Sequence, residues 1–394
     1  MSRINTNKIS YILIYFSTTA ILIYVNTYLP VFFFTVLNVD RIKLAFIQFI
    51  SYSGLIIKPM FGYITDKYSI NNYKRKPYII ISALVILLSY IGIVYNLTEI
   101  SIFGIFLFIN FTASSMIDVA TKGLIVDTSP TKAEKNKNTF FTKLGAALGS
   151  IFPNVVFIIY LQNIYSVNSW TVFLSFSFLF LIPLTIFSLF SGEKGPSDLL
   201  SAKEQEKPKE GEFSNFKFSF LMICIFIFLL YGDKLFEFPL EPWIVDKFGE
   251  NQFYIFSFLM IIGIFVNILG FIMGAYVFKS VNRKILLAIS TAIIGIFEIL
   301  FAFVNFMTLL ILFAIIQILA GIISINLSSL ILEFAKQKKV FYVQIIISFF
   351  SLSVLIFVPL GTLLSNFIMT ELIFIIAGII LLTSLIPLSK IEIR

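Results

Sequence analysis

The sequence predicts an all-α integral membrane protein of twelve transmembrane helices, arranged as two six-helix parallel repeats. Three observations predict it. The 394 residues are 59% hydrophobic and only 13% charged, with a mean hydropathy of +0.98, and apolar runs recur from end to end. Lysine and arginine gather in alternate connectors, the pattern of cytoplasmic loops. Landmarks of the first half return in the second at a nearly fixed offset.

A span needs about 20 apolar residues. That rule places spans at 9–36, 42–63, 78–96, 100–127, 140–161, 169–190, 218–240, 252–277, 285–304, 307–332, 341–364 and 371–388. No charged leader with a cleavage pattern precedes the first run, so span 1 is expected to stay as an anchor. With connectors assigned alternately to two sides, one side holds 23 of the 29 basic residues. Only Arg41, Lys43 and Lys247 fall on the other, and Lys58, Lys122 and Lys234 lie within spans. Both termini are therefore expected in the cytoplasm.

The longest connector, SGEKGPSDLLSAKEQEKPKEGEFSNF, is mixed in charge and carries Pro and Gly. It reads as a cytoplasmic linker at 191–217 between halves at 1–190 and 218–394. Across it, Asp127 and Glu333 close spans 4 and 10 at an offset of 206, and Pro153 and Pro359 in spans 5 and 11 differ by the same number. Gly62 and Gly274 open equivalent loops after spans 2 and 8. Gly145 and Gly149, at the start of span 5, suit close helix packing.

The net charge of +8 lies in short connectors, which membrane topology explains and nucleic acid does not. There is no histidine, and the single cysteine, Cys224, lies inside an apolar run. No metal, cofactor or disulfide is expected, and no CxxC, HExxH, GxSxG or P-loop pattern supports an enzyme or direct ATP coupling. Any proton coupling must use carboxylates.

An ionisable group at the bilayer centre costs about 2.5–3.5 kcal/mol even on insertion scales, so each one asks for a partner or a wet cavity. Asp118 and Lys122 in span 4 share one helical face. They form either a cavity-facing pair that binds substrate or a proton, or a structural ion pair between helices. In span 7, Asp233, Glu237 and Glu241 follow one another at four-residue steps, with Lys234 beside them, and Pro239 and Pro242 interrupt the helix. Glu241 is expected at the solvated interface. Asn26 lies 207 residues before Asp233, a matching polar group in span 1. Glu298 stands alone in span 9 and should pair with another helix or snorkel; Lys58 is near enough to the cytoplasm to snorkel. Gln48, Asn110, Asn267 and Gln317 either line a cavity or bond to neighbouring helices.

Twelve spans, cytoplasmic ends, a central linker and the G-x-x-x-D-K loop of GYITDKYSINNYKRKPYII together resemble the major facilitator superfamily. Within it, IKPMFGYITDKYSINNYKRKPYII and SSMIDVATKGLIVD look like the folate-biopterin transporter family, over about residues 50–130. Lys122 stands where that family has an acid, and Asn72 where it has the glycine before Tyr73. LYGDKLFEFPLEPWIVDKFG in span 7 is closer to acetyl-coenzyme A and muropeptide carriers, and a sugar-type carrier is a further alternative.

The resemblance implies a gating latch of Gly62, Asp66, Lys67, Arg75, Lys76 and Asp127 that holds the two halves together when the carrier faces outward. Phe278 replaces the matching acid in the second half, so one latch is expected. A two-half repeat with interrupted helices suits alternating access better than a channel. The expected activity is secondary transport of a small polar or anionic organic solute, pterin- or folate-like by resemblance. Asp118, Lys122, Asp233, Glu237 and Asn26 are the candidate binding residues. The coupling ion is expected to be a proton, with sodium as the alternative, and the unit a monomer in the bilayer. A receptor or scramblase is the reading from a different class.

Overall fold

The computed structural model describes residues 3–128, 132–160, 166–189, 193, 214–278, 281–335 and 340–391. Most of the expected linker at 191–217 lies outside the described residues. Among the described residues, twelve helical spans are long and apolar enough to cross a membrane: Lys8–Phe34, Arg41–Lys67, Lys76–Tyr95, Ile100–Thr128, Phe140–Tyr160, Val167–Ile186, Phe218–Phe248, Asn251–Ile272, Arg283–Phe301, Phe306–Ser328, Gln344–Leu364 and Thr370–Lys390. Among the described residues there is no strand, only an isolated bridge between Ile70 and Tyr73. The fold is all-α, as the hydropathy pattern predicts.

The chain divides into two compact units, Met1–Val25 with Ile50–Pro208, and Asn26–Phe49 with Lys209–Arg394. Inside the first, span 1 packs on spans 5 and 6, span 3 on spans 4 and 6, and the Lys58–Lys67 end of span 2 on span 4. Inside the second, span 7 packs on spans 11 and 12, span 9 on spans 10 and 12, and span 8 on span 10. Each of these pairs recurs six spans later, which is how an internal repeat shows itself in packing.

The first helix of each half departs from regular α geometry at matching places. Span 1 carries π-helical turns at Tyr24–Tyr28 and Phe32–Val36. Span 7 stops at Leu230, makes a short helix at Lys234–Glu237, and resumes at Leu240–Phe248. Pro239 lacks the N–H that a continuous helix would use there, and it stands as the N-cap of the helix that follows. Span 7 therefore reaches eight residues beyond the expected end at 240, and Glu241, expected at the solvated interface, is 3% exposed.

Small residues set the closest helix approaches. A Cβ on Gly145 or Gly149 would overlap the backbone carbonyl of Ile12 or Phe16 in span 1, and one on Gly361 in span 11 would overlap that of Leu235 in span 7. Where chain lies against chain in lipid, small residues bring van der Waals surfaces together, because apolar burial between helices supplies little drive.

Candidate functional site

In the first unit, the loop after span 2 is built to hold Arg75. Asn71 and Asn72 adopt φ of 50° and 65°, the left-handed region that asparagine tolerates better than any other residue with a β-carbon. They form the corner of a tight turn closed by Ile70 N–H to Tyr73 O at 2.9 Å and Tyr73 N–H to Ile70 O at 3.0 Å. Asn72 thus meets by its own chemistry the backbone demand that a glycine would meet. Span 3 then starts with Pro77 in its first turn, where the missing N–H is harmless. The Glu193 carboxylate accepts from the backbone N–H groups of Lys74, Arg75 and Lys76 at 2.7–3.1 Å, placing a negative charge on the helix N-terminus.

Arg75 is 4% exposed, and each of its three side-chain nitrogens donates to an oxygen. Its Nε donates to Asp127 Oδ2 at 3.0 Å, Nη1 to Thr65 Oγ1 at 2.5 Å, and Nη2 to Asp66 Oδ1. Burial opposes the guanidinium's charge, but Asp127 and Asp66 outweigh it and raise its already high pKa. Gly123 lies under the guanidinium, where a Cβ would sit 2.6 Å from Cζ. Of the six residues expected as a latch, Gly62, Asp66, Arg75 and Asp127 gather here.

Lys67 and Lys76 do not join them. Lys67 donates instead to the Tyr63 hydroxyl at 2.8 Å, one turn back on its own helix, and lies over the Tyr63 and Tyr68 rings. Lys76 lies 5.9 Å from the Tyr73 ring centroid. Both side chains leave the guanidinium face for cation–π contacts at the surface. Thr65, Gly123 and Glu193 are the members that the sequence pattern did not single out. In the second unit, Phe278 follows a π-helical turn at Met273–Val277, and the nearby Lys284 binds the carbonyls of Ser389 and Ile391.

Deeper in the first unit, Asp118 is the hub of a second cluster. Lys122 Nζ donates to its Oδ2 at 2.8 Å, Lys58 Nζ lies 3.4 Å from the same oxygen, and the Tyr15 hydroxyl donates to Oδ1 at 2.7 Å. Lys58 does not snorkel. It is 11% exposed, turned toward span 4, because an acid within reach offsets its charge more fully than a long extension to water would. Lys143, counted among the connector charges, lies inside span 5 and acts electrostatically on Lys122 and Asp118. Two ammonium groups, Lys58 and Lys122, thus bond one carboxylate, leaving positive charge in excess. Lys122 is the accessible one of the directly bonded pair, 35% exposed against 17% for Asp118.

In the second unit, Lys234 Nζ lies 3.1 Å from Glu237 Oε2 and 3.9 Å from Asp233 Oδ2. The helix breaks around Asp233 and Pro239, so the three span 7 acids do not form a continuous ridge. Glu298 does not snorkel either: it is 2% exposed and acts electrostatically with Asp233 and Lys234. Asn26 lies in the π-helical turn at Tyr24–Tyr28. Elsewhere in this unit, Glu371 accepts from Trp243 Nε1 and Lys247 Nζ, each at 3.0 Å. Gln317 bonds its backbone carbonyl to Asn267 Nδ2 at 2.9 Å, and Asn110 donates to Ser89 Oγ at 3.0 Å. Among these four isolated polar residues of the spans, Asn110 and Asn267 therefore bond to neighbouring helices.

Among the described residues, no group of acids and cysteines is arranged to hold a metal ion. What the arrangement offers is paired charge inside helical spans and two interrupted helices, features that occur where transport proteins line their pathways. No curated protein matches the chain by sequence. A family model described as MFS/sugar transport protein matches residues 10–217, more than half of the 394 residues. Twelve spans, the repeated packing of their helices and this match together make the chain a multi-pass membrane transport protein that belongs to the MFS/sugar transport protein family.

Proposed function

We propose that this protein is a proton-coupled secondary carrier of a small anionic organic solute, working by alternating access. The observation that carries the reading is the excess of lysine over acid around Asp118. A carboxylate with two lysines and a tyrosine already on it has little need of a further cation, whereas Lys122 and Lys143 retain charge that a solute carboxylate or phosphate can neutralise. The solute engages Lys122, the accessible ammonium of the pair. Asp233, Glu237 and Asn26 serve the same transport cycle from the second unit.

The resemblance of residues 50–130 to folate-biopterin carriers favours a pterin- or folate-like solute. The Arg75 cluster is the gate: Asp66 and Asp127 hold Arg75 in the outward-facing state, with Gly62 allowing the close approach. Both termini face the cytoplasm, consistent with the side that holds most of the lysines and arginines. The protein works as a monomer.

The test is solute counterflow in proteoliposomes containing the purified protein, with pterins, folates and other organic anions as competitors and with proton and sodium gradients imposed separately. Saturable uptake that organic anions compete, driven by the proton gradient, is the expected result. Flux without saturation or competition would overturn the carrier reading. The family match favours one second reading, a neutral sugar as the solute, and competition by glycosides but by no organic anion would establish it instead.

A further inference from the structure

We infer that Glu298 of span 9 and Asp233 of span 7 form a carboxyl pair that holds one proton, with Glu298 Oε2 as its seat. The pair is the proton site of the carrier proposed above and rests on that reading for its role in transport, though not for its existence.

The two side chains come from spans 7 and 9, which meet through an aromatic contact. Phe236, three residues after Asp233, meets Phe301, three residues after Glu298, edge to face with centroids 6.4 Å apart. Both rings also pack on Phe374 of span 12, at 5.2 and 6.0 Å, and Trp243 closes on Phe374 at 4.9 Å. These four aromatic residues are 0–9% exposed and Glu298 2%, so Glu298 sits in a dry site, while the Asp233 side chain is 37% exposed. Gly361 of span 11 lies directly on the Leu235 carbonyl, so the backbone next to Lys234 is covered as well.

Charge within this region does not balance if every acid is ionised. Among the described residues, Asp233, Glu237, Glu241 and Glu298 have one ammonium, Lys234, acting on them, and it is 3.1 Å from Glu237 and 3.9 Å from Asp233. Glu298 Oε2 and Asp233 Oδ1 are buried without a hydrogen-bond partner among the described residues. The charged groups that act on Glu298 are Asp233 and Lys234. Spans 10 and 12 also pack on span 9, but their charged residues, Glu333, Glu371 and Lys390, stand at the ends of those spans, and Glu371 is engaged by Trp243 and Lys247. An unpaired carboxylate in a dry site is costly, and neighbouring carboxylates resist joint ionisation. A proton on Glu298 removes one negative charge and supplies the donor that the unpartnered oxygens lack.

Infrared spectroscopy of the purified protein near neutral pH reads this site without any solute, through the C=O stretch of a protonated carboxyl. Glu298→Gln should remove one component of that band, the buried Glu241 keeping its own, whereas Glu99→Gln, at an exposed loop acid, should leave it unchanged. Asp233→Asn should diminish the same component, because Glu298 then loses the neighbouring carboxylate that resists its ionisation; this variant carries the test if Glu298→Gln does not fold. A band unchanged in both Glu298→Gln and Asp233→Asn overturns the pair. In proteoliposomes, Glu298→Gln should keep solute exchange but lose its stimulation by an imposed proton gradient, and full stimulation would remove Glu298 from coupling. Absence of transport for every organic anion in the wild-type protein would instead defeat the carrier reading, with the infrared result still deciding the pair.

Discussion

Arg75 Nε donates to Asp127 Oδ2 at 3.0 Å, tying the loop before span 3 to the last turn of span 4. Asp66 and Thr65 complete the ring of acceptors, so one guanidinium joins three successive spans of the first unit. Lysine is a point charge and cannot reach three acceptors in a fixed fork. Arg75→Lys should therefore fold but lose about 1.5–3 kcal/mol, the worth of a hydrogen bond to a charged group. Asp127→Asn should lose a similar amount. Thermal unfolding in detergent measures both, and a wild-type midpoint in either variant would show that the cluster contributes nothing to holding these spans together.

The turn that presents Arg75 depends on two residues with positive φ, Asn71 and Asn72. Alanine in the left-handed region costs about 1–2 kcal/mol, and glycine enters it freely. Asn72→Ala should lower the unfolding midpoint, and Asn72→Gly should leave it near wild type. Equal midpoints for alanine and glycine would mean that the turn is not held in this conformation.

Spans were legible because hydropathy is a property of the local chain, and the Asp118–Lys122 pair because four residues is one helical step. The place of Lys58 is misread for the opposite reason. Lys58 reaches Asp118 from 60 positions away, and no periodicity within one helix reports which neighbour it faces. A signal was present all the same: a lysine several residues inside a span demands an acid, and Asp118 was available. Glu298 stands alone in the sequence because the groups acting on it lie on span 7, and Glu241 reads as interfacial because the expected span closes at 240, whereas the helix resumes at Leu240–Phe248. The loop motif pointed to Asp66, Arg75 and Asp127, but Thr65, Gly123 and Glu193 join them only through the fold.

Span 5 lies on span 1 because Gly145 and Gly149 leave room for the carbonyls of Ile12 and Phe16. A side chain there meets backbone, which cannot swing aside. Gly149→Val should separate the two helices and lose about 1–3 kcal/mol or more through overpacking, whereas Gly263→Ala, whose neighbours are the side chains of Gln317 and Phe313, should be milder. Folded yield and thermal midpoint compare the two, and equal loss would mean that backbone contact is not what makes Gly149 necessary.

The lysines around Asp118 should separate binding from folding. Lys122 is 35% exposed, so Lys122→Met removes an accessible charge while Lys58 and Tyr15 still satisfy Asp118. The loss expected is one charge-assisted hydrogen bond to the solute, about 1.5–3 kcal/mol, or roughly tenfold or more in Kd. Lys58 is 11% exposed and 3.4 Å from the same carboxylate, so Lys58→Met should act first on stability, because Asp118 then depends on Lys122 alone among its direct ammonium partners. Lys143→Met, which removes a positive charge without breaking a hydrogen bond to Asp118, should weaken binding by less than Lys122→Met and stabilise neither partner. Solute affinity from competition in proteoliposomes, set beside thermal midpoints for the same three proteins, distinguishes these effects. If Lys122→Met kept full affinity while its midpoint fell, Lys122 would be a structural partner of Asp118 and the anion would have to bind elsewhere.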